Sequence, residues 1–126
     1  MAEHVLRYED FAKFLNSKGF LVCGEDHLGH GKTAPNKSDL GYFADKEGHQ
    51  TVVKDMKKLQ DIIKQDYPKL PYFLLGHSMG SFLCREYIET FGETLDGAIV
   101  MGTGIQPQIL LGLAKTLCRV IAVFRG

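Results

Sequence analysis

Apolar residues recur along this chain at helical spacing in some stretches and in short unbroken runs in others. Over Tyr8–Lys18, Phe11, Phe14 and Leu15 stand three and four apart, which predicts a helix that Gly19 ends. Phe20–Glu25 is a short run around Val22 and Cys23, the pattern of a buried strand. Asp26–Tyr42 loses the period and fills with Gly, Asn and Pro, predicting a long loop of the functional or mobile kind. The helical period returns over Gln50–Asp66. There Val52, Met56, Leu59 and Ile63 line one face, with Val53 and Ile62 widening it. Lys54, Asp55, Lys57, Lys58, Asp61 and Lys64 fill the solvent side, and Pro68 closes the element. Tyr72–Leu75 reads as a second strand. Met79–Phe91 reads as a third helix with Phe82, Leu83, Tyr87 and Phe91 inward, and Leu95–Met101 as a third strand. Ile109–Phe124 is a fourth helix. Helices alternating with strands predict an α/β layer fold around a parallel sheet.

Composition narrows the class. The 126 residues are 44% hydrophobic and 24% charged, the balance of a globular domain. Fifteen basic and fifteen acidic side chains cancel, so no nucleic-acid partner is expected. The charge is uneven, because residues 104–126 carry Lys115, Arg119 and Arg125 and no acid. A basic, apolar tail on a mildly acidic body suggests contact with a lipid surface. Cys23, Cys84 and Cys118 include no Cys-x-x-Cys pair, which predicts reduced thiols and a cytoplasmic compartment. Met1–His4 shows no basic-then-apolar leader. Lys115, Thr116 and Arg119 interrupt Ile109–Phe124, which also falls short of the ~20 residues of a spanning helix.

Gly76-His77-Ser78-Met79-Gly80, between a predicted strand and a predicted helix, is the stretch that carries chemistry. Gly-x-Ser-x-Gly in that setting is a nucleophile elbow, in which a strained serine lifts its hydroxyl out of the turn. Gly76 and Gly80 are expected to let helix and strand approach, and the backbone N–H of Met79 to face a developing oxyanion. The competing reading makes Ser78 a simple helix N-cap. His77 is expected to pack rather than react. Asp26, His27 and His30 could form a metal pair plus carboxylate, but no further ligand stands at useful spacing, so a backbone-bonded loop is preferred and no metal is expected. Gly29-His30-Gly31-Lys32-Thr33 mimics the end of a phosphate-binding loop, yet Asp26 stands where Gly is needed.

Four stretches together resemble the α/β-hydrolase superfamily, in its monoacylglycerol lipase and lysophospholipase (serine aminopeptidase-like) branch. They are Met1-Ala2-Glu3-His4 with Arg7-Tyr8, Asp26-His27-Leu28-Gly29-His30-Gly31, Gly41-Tyr42-Phe43-Ala44, and the elbow itself. Leu28 departs from the family's usual Arg, and Ser81 from a common Gly. The resemblance implies a partial α/β-hydrolase core over residues 1–103 and the start of a cap over 104–126. It implies Ser78 as nucleophile, with backbone N–H groups of Met79 and Met1 as oxyanion donors, and no cofactor. Ile109, Leu113, Leu117, Val120 and Phe124 read equally as core or as the inner face of this cap; in the cap reading Lys115 and Arg119 would be its lipid-facing charges, giving a small amphiphilic ester as substrate and a peripheral contact at the inner membrane surface. In the family a strand ending in His-Gly precedes the position of Met1 and lies between those matching Phe20–Glu25 and Tyr72–Leu75. The family's acid and histidine follow the nucleophile, whereas Asp96 is the one aspartate after Ser78 and all five histidines precede it. The expectation is therefore the middle of a hydrolase roughly twice this length, truncated at both ends and inactive alone. A peptidase acting on N-terminal residues and a non-catalytic interaction module are the alternatives.

Overall fold

The computed structural model describes residues 3–125. Helix α1 (Glu9–Ser17) follows a 3-10 turn at Val5–Tyr8. The loop after it holds two more such turns, at Gly31–Thr33 and Lys37–Asp39. Helix α2 (Gly48–Asp66), strand β1 (Phe73–His77), helix α3 (Met79–Phe91), strand β2 (Gly97–Met101) and helix α4 (Gln108–Arg125) complete the order. β1 and β2 pair in parallel, Phe73 opposite Gly97 through His77 opposite Met101. The α3 connection between them is the crossover that parallel strands require.

The core lies where α2 and α3 meet the back of β1. Val52, Val53, Leu83 and Tyr87 are buried there, with Met56, Leu74, Met79, Phe91 and Leu95 packed around them. A polar knot sits in this seam. The Tyr87 hydroxyl donates to Gln60 Oε1 at 2.5 Å, and the Thr94 hydroxyl donates to the same oxygen at 2.9 Å. Gln60 Nε2 donates to the Thr94 carbonyl at 2.8 Å. Every polar atom of the buried Gln60 amide is thus engaged, which is the condition for tolerating it. The helical pattern marks Gln60 as neither core nor surface, so the sequence carried no sign of this role.

Two expectations are corrected. Phe20–Glu25 is no strand. A strand exists through its ladder, and among the described residues the backbone bond this run makes is Phe20 N–H to the Leu15 carbonyl at 3.2 Å, which belongs to the end of α1 and is no ladder. Phe82 is 50% exposed rather than inward, because the α3 face that packs runs through Leu83 and Tyr87. In α1, Phe11 and Phe14 are also exposed, since no element among the described residues covers that face. The whole surface amounts to 9577 Å². A compact monomer of 14.1 kDa would expose about 6,700 Å². The excess is the signature of apolar faces without partners.

Candidate active site

The site begins at the C-terminal end of β1, where the chain must reverse into α3. Ser78 makes that turn with φ 54° and ψ −117°, a left-sided backbone that a side-chain-bearing residue adopts at a cost of about 1–3 kcal/mol. Two interactions hold it there. The Ser78 N–H donates to the Met101 carbonyl at 3.0 Å, extending the ladder, and Ser81 returns both its N–H (2.9 Å) and its hydroxyl (2.6 Å) to the Ser78 carbonyl. The Ser78 hydroxyl makes no capping bond to α3 and the residue is exposed. That disposes of the simple N-cap alternative: the serine's geometry frees its Oγ instead of spending it on the helix. Met79 is the first residue of α3, so its N–H has no intrahelical acceptor and adds to the positive end of the helix.

The two elbow glycines differ. A Cβ on Gly76 would collide with the Gly80 carbonyl and stand 2.7 Å from Cys84 Cβ, so strand and helix meet backbone to backbone. A Cβ on Gly80 would meet nothing within 4 Å. The close approach therefore rests on Gly76.

A polar group gathers beside the serine. His77 is exposed, and its Nδ1 lies 3.5 Å from the Tyr8 hydroxyl, which is 3.4 Å from Glu3 Oε2. Glu3 also pairs with Arg7. His77 is thus a partner of the 3–8 segment and not the packing residue expected. Asp26 fixes the same segment from behind: Oδ1 accepts the Val5 N–H at 2.7 Å and Oδ2 the Lys32 N–H at 2.9 Å. These backbone donors, Lys32 foremost, hold the Asp26 carboxyl below its ordinary pKa. Gly31 turns at φ +50° against that carboxylate, where a Cβ would strike it. Three of the other histidines have neighbours away from Ser78. His30 is 5% exposed with Nδ1 at 2.9 Å from the Leu28 carbonyl, His49 pairs with Glu86 at 2.8 Å, and His27 stands 3.7 Å from Glu25.

The sequence profile of the family described as "Serine aminopeptidase, S33" matches residues 1–125. The chain belongs to that family. Its relatives include a mouse monoglyceride lipase, 40% identical over 78 residues, which are 62% of this chain and 24% of the relative. A monoacylglycerol lipase of Mycolicibacterium smegmatis is 30% identical over 122 residues, 92% of this chain and 41% of the relative. The crystal structure of a thermostable carboxyl esterase from Bacillus coagulans, in complex with glycerol, superposes with a TM-score of 0.85 at 38% identity. It covers 100% of this chain and 40% of the esterase. The chain thus spans between a quarter and two fifths of the length of these S33-type relatives, and its fold is that of the α/β-hydrolases.

Two expected parts of the S33 site remain to be placed. Met1, the second oxyanion donor by resemblance, lies outside the described residues. Lys115 and Arg119 sit on α4, where every described residue of 105–124 is exposed. Among the described residues no helix is long and apolar enough to cross a membrane, and no cluster of His, Cys, Asp or Glu is placed to hold a metal ion.

Proposed function

We propose that this chain carries the nucleophile half of a serine esterase acting on single-chain lipid esters, monoacylglycerols or lysophospholipids. The observation that carries the reading is the backbone of Ser78, strained at φ 54° with its hydroxyl uncapped at the head of α3. Ser78 Oγ would add to the acyl carbonyl while its proton passes to a base outside residues 3–125. The alcohol then leaves, and water releases the acid from the acyl-enzyme. The N–H of Met79 would hold the oxyanion, with Met1 as the second donor. Glu3, Arg7, Tyr8 and His77 offer hydrogen bonds to a hydroxylated head group, and the names of the relatives support an acylglycerol. The greasy, basic α4 would begin a cap at an anionic membrane surface, with Lys115 and Arg119 towards the lipid.

Acyl chains contribute about 0.8 kcal/mol per buried methylene, so an apolar cap should make kcat/KM climb with chain length. The test grafts residues 3–125 in place of the matching segment of the Bacillus coagulans esterase, which supplies the remaining chain. The chimera should hydrolyse esters with a preference for long single chains, and Ser78→Ala should remove at least ~10⁴-fold of the rate. The 126-residue chain alone should do no better than its own Ser78→Ala variant. A flat chain-length profile with cleavage of aminoacyl-naphthylamides would defeat the lipase reading in favour of the aminopeptidase.

A further inference from the structure

One side of α3 carries charged and aromatic side chains that the elbow does not use. Phe82, Arg85, Glu86 and Glu89 repeat at three- and four-residue spacing, so they share one stripe of the helix. With His49 from the start of α2 they line an open groove of about 410 Å³. Both charged side chains in its middle are held from outside the helix. His49 Nδ1 lies 2.8 and 2.9 Å from the two Glu86 oxygens. A carboxylate only accepts, so Nδ1 carries the proton and donates it. That bond ties the wall of the groove to α2, 37 positions away in sequence. Arg85 Nη1 donates to the Gly104 carbonyl at 3.4 Å, a single long bond that leaves its other N–H groups open. Arg85 and Glu89 stand one turn apart, yet among the described residues they form no ion pair. Phe82 is half exposed. Among the described residues the stacked cations are Lys18 on Phe14 and Lys57 on Phe91, so the Phe82 ring is not taken.

We propose that this groove binds a short zwitterion in which a quaternary ammonium stands a few bonds from an acid group. Phe82 and Glu86, four apart on α3, offer an aromatic face beside a fixed carboxylate. That pairing suits a quaternary ammonium, which is drawn to the π face as well as to the charge. A primary ammonium is a compact, strongly hydrated charge and gains less from the ring. Arg85, between the two in sequence, presents planar N–H groups that match a pair of oxygens on a carboxylate or phosphate. Residues three apart on a helix stand about 5–6 Å from each other, so the two charges of the ligand must be close. Carnitine and the phosphocholine group both meet this description, one through a carboxylate and the other through a phosphate. Little ordering is required on binding, because His49 already holds Glu86 in place. Glu89, one turn beyond Arg85, adds a negative charge on the side of the acid group and works against it.

The experiment titrates the 126-residue chain with carnitine and, separately, with glycerophosphocholine. NMR follows the amides of Phe82–Glu89 and the His49 ring. At least one of the two should bind saturably, with a millimolar or tighter Kd, and the tighter one names the acid group. Choline and glycerol phosphate, each carrying one kind of charge, should bind at least tenfold more weakly. Arg85→Gln and Phe82→Leu should each weaken the zwitterion at least fivefold at an unchanged melting temperature, since both side chains are exposed. Glu89→Gln should bind as well as the parent chain or better. Ser78→Ala should bind as the parent does, so the outcome stands apart from the esterase reading. Absence of saturable binding by both zwitterions would overturn the proposal. So would choline binding as tightly as they do, a loss on Glu89→Gln equal to that on Arg85→Gln, or shifts confined to Ile109–Phe124.

Discussion

The seam between α2 and α3 and the face of α4 are written in the same apolar code and reach opposite fates. Val52, Leu83 and Tyr87 are at most 4% exposed, whereas Ile109, Leu113 and Leu117 are exposed at 81%, 65% and 59%. Helical spacing of apolar residues specifies a helix with a greasy stripe, but what covers the stripe is decided by the neighbours. α2 and α3 pack directly on one another behind β1 and are locked by the Gln60–Tyr87–Thr94 knot. The apolar face of α4 stands in solvent. The difference marks one region as packed and the other as exposed.

The sharpest way to break this contrast is truncation in both regions. Tyr87→Ala removes the largest buried side chain of the seam and unties the knot, and should cost about 3–5 kcal/mol in chemical denaturation. Leu113→Ala and Leu117→Ala should each stay within about 0.5 kcal/mol by the same measurement. Comparable losses at both places would mean that α4 is packed in solution.

The elbow offers a second test of the seam at finer scale. Gly76→Ala forces a methyl into Gly80 and Cys84 and should destabilise by about 1–3 kcal/mol. Gly80→Ala meets open space in a helical turn and should instead stabilise by about 0.4–1 kcal/mol. Thermal melts of the two variants should therefore move in opposite directions.

For α4 the measurement is partition onto vesicles. Reversing Lys115 and Arg119 to Glu should weaken binding to anionic vesicles by about 1 kcal/mol or more per site and leave binding to zwitterionic vesicles unchanged. Melting temperature should not respond, since both side chains stand on an exposed helix. The smallest effect belongs to Asp26. Its folded pKa lies below the ordinary 3.8, so its contribution is full above that value and fades as pH falls through the lowered one. Asp26→Asn should flatten the stability profile in that acid window alone, read by urea titrations at stepped pH.

Much of this was legible in the residues. Met79–Phe91 agrees to the residue between pattern and structure, because a strained elbow fixes its start and Gly92 follows its end. Gln50–Asp66 grew by two residues at its start, and Leu95–Met101 shortened to Gly97–Met101. Phe20–Glu25 misled because an apolar run states that a segment suits a sheet, while pairing depends on a neighbour. Phe82 misled because a helix with apolar residues on more than one side does not say which side is covered. The strained Ser78 was legible because Gly-x-Ser-x-Gly needs a particular backbone. Its link through His77 to Tyr8 was not, since those residues are 69 positions apart and carry no shared motif.

Gly76 forces the strand against α3, and the side chain lying in that contact is Cys84, at 0% exposure. Burial also raises the pKa of its thiol, so it stays protonated and inert while the elbow is closed. Cys23 and Cys118 are exposed. The molecule thus carries its own clock. In a pulse of alkylating reagent, Cys118 marks zero time, and modification of Cys84 counts each occasion on which helix and strand part beside the Ser78 turn.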